Sequence, residues 1–335
     1  MTRARLKTLA WNGAASALVL AATLATTLTS TLASAQSYPS RPVKIVVPYT
    51  AGGPVDQLAR SLADRLGRSA GQPFIVENRP GGNTIVAASM VAKAPADGYT
   101  LFMASSASLA VNPLVYKKLA YDPDRDFAPV SLVASAPLVM VVGNATPATR
   151  LKDLIPYIRS REGSFAYASN GNGNPLHLAC ALFGSMANVD MLHVPYNGTA
   201  PALASVLGGD TQMTCDIVLN SMPHIKAGKL RAIGIVGPRR VAALPEVPTL
   251  AEEGLLGVDA AVWFALVAPA STPPEVMAKL NKEVVKAIDD TAMKARFSDM
   301  AMELGSSSPQ DVVDLTKRER GKWADVVRKY GIKID

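Results

Sequence analysis

Val43-Lys44-Ile45-Val46-Val47-Pro48-Tyr49-Thr50-Ala51-Gly52-Gly53-Pro54-Val55-Asp56 changes character twice within fourteen residues. Val43 to Val47 is a compact apolar, β-branched run that reads as a buried strand, and from Val55 onward Leu58, Leu62 and Leu66 recur at helical spacing. Between them lies a Pro- and Gly-bearing turn. Two glycines let the backbone approach a ligand closely, and the start of the following helix presents unpaired N-H groups, so a strand-turn-helix of this composition can bind an anion. A glycine-rich βα turn without a ligand has the same composition, and the string alone leaves both readings open. It carries neither a phosphate-loop Lys nor the G-x-G-x-x-G spacing, which argues against a nucleotide.

The pattern repeats outward from there. Phe74 to Val76 reads as strand, Ile85, Ala88 and Val91 as helix, and Tyr99 to Met103 as strand. After a Pro-punctuated stretch it restarts with Leu138 to Val142 as strand, Leu151 to Arg161 as helix and Phe165 to Ala168 as strand. Further strand candidates are Met191 to Val194, Thr211 to Val218, Leu230 to Val236 and Val262 to Ala268. Such alternation predicts an α/β protein with a parallel sheet covered by helices on both faces, in two units. The run Val262 to Ala268 leads the chain back into the first unit. Two helices close the sequence. The first is introduced by Thr272, Pro273 and Glu275 as a capping box, the second by Ser308, Pro309 and Asp311, and both are expected to pack on the first unit. Two units joined by two crossings make a hinged cleft, and open α/β sheets bind ligands at the carboxyl ends of their strands.

Composition narrows the function. The chain has 335 residues, 49% hydrophobic and 18% charged, with 24 Gly and 24 Pro, which suits a turn-rich globular protein of two domains. Residues 1 to 35 differ from the rest: Arg3, Arg5 and Lys7 precede an Ala/Leu/Val/Thr-rich stretch without an acidic residue, ending in Ala33-Ser34-Ala35. That is the pattern of an export leader cut after Ala35, a membrane anchor being the alternative. Removing it lowers the formal charge from +7 to +4. The remaining excess is scattered and has no basic run with interleaved aromatics, so no nucleic-acid partner is expected.

Chemistry-bearing residues are sparse. Ser169-Asn170-Gly171-Asn172-Gly173-Asn174-Pro175 is a second strand-loop-helix string, able to meet the other side of the same ligand or to serve only as a turn. His177, His193 and His224 lack ligand spacing with cysteine or carboxylate, so no metal and no cofactor is expected. Ser105, Ser106 and Ser108 follow a strand without a G-x-S-x-G elbow. Asp216 could recognise an amine or be ordinary hydrogen-bonding structure. Cys180 and Cys215, the two cysteines, are open to a disulfide or to life as small buried hydrophobes.

An ordered set of motifs then gives a resemblance. Arg41-Pro42 with the Pro48 to Asp56 loop comes first, followed by Val76-Glu77-Asn78-Arg79-Pro80-Gly81, Asp97-Gly98-Tyr99-Thr100-Leu101, Asn112-Pro113 and Tyr121-Asp122-Pro123. Ser169 to Leu178, His193-Val194-Pro195-Tyr196, Leu244-Pro245-Glu246-Val247-Pro248-Thr249 and Ala268-Pro269 complete it. From Tyr38 onward the chain resembles the Bug family of periplasmic solute receptors, the TctC-like binding proteins of tripartite tricarboxylate transporters.

The resemblance implies a two-lobed periplasmic-binding-protein fold of type II-like form, with residues 37–137 plus 263–335 as lobe 1, 138–262 as lobe 2, and two crossing strands between them. It implies a periplasmic monomer that performs no chemistry, binds a di- or tricarboxylate, an acidic amino acid or an aromatic acid, and delivers it to membrane permease subunits. Carried over by position, Tyr49, Thr50, Ala51, Gly52, Gly53 and Asp56 would form the first side of the site, with Asp56 orienting its loop. Ser105 and Ser106 would lie in the next loop, and Ser169, Asn170, Gly171, Tyr196, Asn197 and Asp216 on the second side. The chain departs from the family at Gly82-Asn83-Thr84 and Val86, where a longer glycine run is usual, at Asn197 for a common Lys, and at Cys180 for a Gly. The alternatives are a secreted α/β enzyme using Ser105 or Ser169 as nucleophile, and a sensory binding subunit.

Overall fold

The computed structural model describes residues 38–161 and 163–334. The expected export leader lies outside them. Arg41–Asp335 form one compact unit, to which every element below belongs. Among the described residues no helix is long and apolar enough to cross a membrane.

The chain runs β1 (Val43–Val47), α1 (Pro54–Ala70), β2 (Phe74–Asn78), α2 (Ile85–Ala92) and β3 (Thr100–Ser105). A π-helical turn (Ala107–Val111) leads into α3 (Asn112–Val115) and α4 (Pro123–Asp126), then β4 (Phe127–Gly143) and α5 (Leu151–Ser160). Next come β5 (Ala166–Ser169), α6 (Pro175–Ala187), β6 (Leu192–Pro195), α7 (Thr199–Gly208), β7 (Met213–Ile217), α8 (Val218–Lys226) and β8 (Leu230–Val236). The chain finishes with β9 (Ala261–Pro269), α9 (Pro274–Ile288), α10 (Thr291–Asp299), β10 (Glu303–Leu304) and α11 (Pro309–Lys329).

The strands order β2-β1-β3-β9-β4-β7-β5-β6, with β8 and β10 also pairing with β4. The α/β class and alternation are as expected, but the sheet is mixed. β1, β2 and β3 are parallel to one another, as are β5, β6 and β7, whereas β9 is antiparallel to β3 and β4 is antiparallel to β7, β8 and β9. The reversal follows from connectivity: the chain leaves the first parallel set along β4 and returns along β9, so these two must run against their neighbours.

Leu138 to Val142 is therefore not a fresh strand but the far half of a seventeen-residue one. Its first half, Phe127 to Pro137, pairs with β9; its second half, Leu138 to Gly143, pairs with β7 and β8. Pro129 and Pro137 hide this continuity in the sequence, because a proline argues against a central strand. Here the register shifts next to Pro129, and Pro137 lies opposite Ala261 at the end of the β9 ladder.

Each half has its own core. Val46, Phe102, Ala104, Phe127, Trp263 and Val267 are buried together around the first parallel set. Val139, Val141, Ala168, Leu203, Val206 and Val218 are buried around the second. Burying one such side chain fully contributes about 1.5–3 kcal/mol relative to exposure. The end of β4 meets α7 so closely that a Cβ on Gly143 would lie 2.4 Å from the Val206 carbonyl oxygen.

The two late helices start differently from each other. Ser308 and Asp311 form the expected capping box: the Ser308 Oγ accepts from the Asp311 N-H at 3.2 Å and the Asp311 carboxylate accepts from the Ser308 N-H at 2.9 Å. The box expected at Thr272 is absent. Pro273 occupies the cap position of α9, and the Thr272 hydroxyl instead donates back to the Pro269 carbonyl at 2.7 Å, which leaves it no role in the helix. α9 packs on α1 and β4, whereas α11 packs on β4, the π-helical turn and, from the second half, α6.

Candidate functional site

The first loop is fixed from behind by a single carboxylate. Asp56 lies in the first turn of α1 and is 2% exposed. It accepts from the Gly52 N-H at 2.9 Å, from Arg60 Nε at 2.9 Å and from Asn78 Nδ2 at 2.9 Å. The same Asn78 amide also donates to the Tyr49 carbonyl at 3.0 Å, so the end of β2 and the start of α1 hold Tyr49 and Gly52 in place together. Gly52 has φ +82, where a glycine is needed. Burial pushes the Asp56 carboxyl up, but the hydrogen bonds from Arg60, Gly52 and Asn78, with the charge of Arg60, outweigh it and hold the carboxyl below its ordinary value. Asp56 therefore orients the loop and remains ionised.

The second loop, between β5 and α6, is built from amides and histidines. Asn174 caps α6 by accepting from the Leu176 and His177 N-H groups, and its Nδ2 donates to the Gly171 carbonyl at 2.7 Å. The Gly173 N-H donates to His177 Nδ1 at 3.0 Å, so that nitrogen is unprotonated. The His177 ring stacks on His193 with centroids 3.7 Å apart, and the Ser169 hydroxyl meets His193 Nε2 at 2.7 Å. Burial, joined by the charge of the neighbouring His193, lowers His177 to about 3, and burial lowers His193 to about 4. Both are neutral struts of the loop.

Between the two loops lies a cavity of about 890 Å³ lined from both halves of the sheet. Tyr49, Thr50 and Gly53 line it from the first loop, and Asn170, Gly171, Tyr196 and Asn197 from the second half. The other sequence candidates are not on its lining. Ala51 and Gly52 form the outer bend of their loop, and Asp56 stands behind it. Ser105 and Ser106 are buried at the end of β3, where the Ser105 N-H donates to Ser108 Oγ, and Ala107 reaches the cavity in their place. Ser169 is fully buried against His193, which removes it from the cavity surface as a nucleophile. Asp216 is also behind the wall: it accepts from Ser221 Oγ at 2.9 Å and from Asn220 Nδ2 at 3.2 Å, and Asn220 is the residue that lines the cavity. Burial raises the Asp216 carboxyl to about 6 against the lowering effect of those bonds and of the Ile217 N-H.

Among the described residues the lining contains no Asp, Glu, Lys, Arg or His side chain. Its electrostatics come from backbone. The starts of α1 (Gly53 to Val55), α2 (Thr84), α6 (Pro175), α7 (Thr199) and α8 (Ile217) all border the cavity. All but α6 lack a side-chain cap. Pro54 has no N-H and the Ile85 N-H donates to the Gly82 carbonyl at 3.0 Å, so at α1 and α2 the N-H groups left for a ligand or water begin one residue further on. Each helix start carries about +0.5 elementary charge. They are distributed on both sides, α1 and α2 from the first half, α7 and α8 from the second. The arrangement suits a small anion whose negative charge is met by amide N-H groups, with Phe264, Val262 and Ile217 offering apolar contact to its body.

Sequence reasoning did not find the α2 start, α7, α8 or Asn220. One signal was present. Asn83 and Thr84, the departure from the usual glycine run, both adopt positive φ, +48 and +74. A β-branched residue there is an outlier, and it is held by paired amides, Asn83 Nδ2 to Asn112 Oδ1 at 2.8 Å and Asn112 Nδ2 to the Asn83 carbonyl at 2.9 Å. Cys180 and Cys215 meet as thiols, with the Cys215 N-H donating to Cys180 Sγ at 3.0 Å; in this structure they are not joined.

Known proteins share this architecture. The solved structure of R. palustris Rpa4515 with adipate superposes with a TM-score of 0.80 at 37% identity, over 88% of this chain and 99% of that one. MatC (Rpa3494) from Rhodopseudomonas palustris with bound malate gives a TM-score of 0.76 at 33% identity, over 87% of this chain and 100% of the other. Protein BugT of Bordetella pertussis is 35% identical over 302 residues, 90% of this chain and 93% of its own length. Residues 58–332 match the family model described as the tripartite tricarboxylate transporter family receptor, TctC. With the mixed sheet, the two facing loops and these likenesses in agreement, the chain belongs to the TctC family of receptors, to which the Bug proteins also belong.

Proposed function

We propose that this protein is an extracytoplasmic receptor that captures a small organic carboxylate in the 890 Å³ cavity and hands it to the membrane permease of a tripartite tricarboxylate transporter. The observation that carries the reading is a cavity bordered by four helix starts without side-chain caps and, among the described residues, by no charged side chain. In this reading Tyr49, Thr50 and Gly53 hold one carboxylate, and Asn170, Gly171, Tyr196 and Asn197 receive the other end of the ligand. Asp56, Ser105, Ser106, Ser169 and Asp216 act from behind, by positioning the loops. Adipate and malate in the two related structures support a dicarboxylate. The lobes are residues 37–137 with 263–335, and 138–262. They close about β4 and β9, the strands that cross between them. The receptor works as a periplasmic monomer after its leader is cut at Ala35, and it releases its ligand unaltered.

The energetics are sufficient. Micromolar affinity needs roughly 8 kcal/mol. Helix starts contribute about 0.3–1 kcal/mol each, reaching ~2 when sheltered, and charge-assisted hydrogen bonds about 1.5–3 each. Two or three such bonds with four helix starts reach that figure. Titration calorimetry of the mature protein with succinate, malate, adipate and their diamides is the test. Micromolar binding of a diacid, with the diamide at least a hundredfold weaker, is expected. Equal affinity for the diamide would refute a site built for anions.

A further inference from the structure

The segment after α11 brings Ile334 to the cavity wall. It is fixed at each step. Lys329 donates to Ser185 on α6 at 2.9 Å, the Ile332 N-H donates to the Val327 carbonyl, and Lys333 donates to the Leu114 carbonyl at 2.8 Å. Ile334 then joins the first half as a short parallel bridge beside Tyr116. Its N-H donates to the Val115 carbonyl at 2.7 Å and its carbonyl accepts from the Lys117 N-H at 3.1 Å. The side chain of Ile334 borders the main cavity.

Ile334 also meets the second loop. A Cβ on Gly173 would stand 2.8 Å from the Ile334 Cδ1 and 3.1 Å from Val115 Cγ2, so the isoleucine fills the notch that this glycine leaves. Beside the segment is a second cavity of about 280 Å³, bordered by Tyr167, His177, His193 and Tyr330 and by residues 331–333. Asn172 borders both cavities. Asn172 thus stands between the two cavities, and Ile334 lies on the wall of the larger one, next in sequence to Lys333 on the wall of the smaller.

We propose that Ile334 is a specificity-determining residue, the stop that limits how long a carboxylate the cavity accepts. The inference rests on the carboxylate reading given above. Trimming the side chain to its Cβ vacates the notch between Gly173 and Val115 beside the cavity, and each methylene of a longer acid that gains a buried apolar place there is worth roughly fourfold in affinity. A bulkier side chain does the opposite, because the anchoring bridge to Val115 and Lys117 is made by backbone and keeps position 334 where it is.

The experiment is calorimetric titration of succinate, adipate, suberate and sebacate into the mature wild type, Ile334→Ala, Ile334→Val and Ile334→Trp. Circular dichroism and thermal melting establish that each variant is folded. Ile334→Ala is expected to gain at least tenfold for acids two or more methylenes longer than the wild-type optimum, relative to that optimum. Ile334→Trp should shift the optimum to shorter acids. If the alanine variant does not fold, the valine variant carries the test with a smaller shift in the same direction. A rank order unchanged within twofold would overturn the proposal, and so would a uniform loss across all four acids, which would make Ile334 a structural support. A wild type that binds none of the four overturns the carboxylate reading and this inference with it.

Discussion

Replacing Asp56 by alanine separates the support of the first loop from its contact surface. The carboxylate is not on the cavity lining, yet it holds Gly52 by its N-H and Asn78 by its side-chain amide, and Asn78 holds Tyr49. Two hydrogen bonds to a charged acceptor are lost, at about 1.5–3 kcal/mol each when fully sheltered. Gly52 is exposed, so water replaces the carboxylate there in part, and the expected loss of folding stability is about 2–3 kcal/mol. The ion pair to Arg60 adds under about 1 kcal/mol, because that guanidinium is itself exposed. Guanidinium unfolding measures the stability, and calorimetry with the best-bound diacid measures affinity under conditions where the variant is folded. Affinity should fall at least tenfold, since Tyr49 to Gly53 no longer share one conformation. Asp56→Asn should lie between wild type and alanine: one oxygen can still accept from Gly52, while the amide nitrogen has no use for a donor from Asn78. A folded Asp56→Ala variant that binds within twofold of wild type would refute the claim that this carboxylate shapes the site.

Two other substitutions follow from buried groups. Asp216 titrates near 6 in the fold against an ordinary 3.8, so the folded state disfavours its ionised form. Below about 3 both states are protonated and no penalty applies; above about 6 both are ionised and the fold carries the full cost, roughly 3 kcal/mol. The stability of Asp216→Asn relative to wild type should therefore rise by ~3 kcal/mol between pH 3 and pH 7, and a flat difference over that range would refute it. At Gly143 a Cβ would meet the Val206 carbonyl at 2.4 Å, backbone against backbone, so Gly143→Ala should destabilise by more than about 2 kcal/mol in guanidinium unfolding. Wild-type stability would show that β4 and α7 can part at little cost.

What could be read in sequence were features whose cause is local. Val43 to Val47 forms a strand because four of its five residues are apolar, β-branched and buried wherever they fall, and the Gly52-Gly53-Pro54 turn makes a helix start whatever surrounds it. Ser308 and Asp311 close their capping box across three residues. The α/β class, the two alternating units and the family resemblance come from such strings. The continuity of β4 through Pro129 and Pro137 is not local: it depends on β9 lying alongside, with a shifted register that accommodates a residue lacking an N-H. Likewise Asp56 and Asp216 have similar standing as acidic residues beside strands, and only their neighbours decide that one is kept ionised by Arg60 and the other is pushed toward protonation by burial. The sequence by itself determined which segments become strands, turns and helix starts, since those preferences are set by the residues within each segment. Tertiary structure alone decided that helix starts from opposite halves border one cavity, and that Ile334, more than two hundred residues from Tyr116, stands in its wall. Convergence of that kind is a property of packing, in which residues far apart along the chain become neighbours only once both cores are buried.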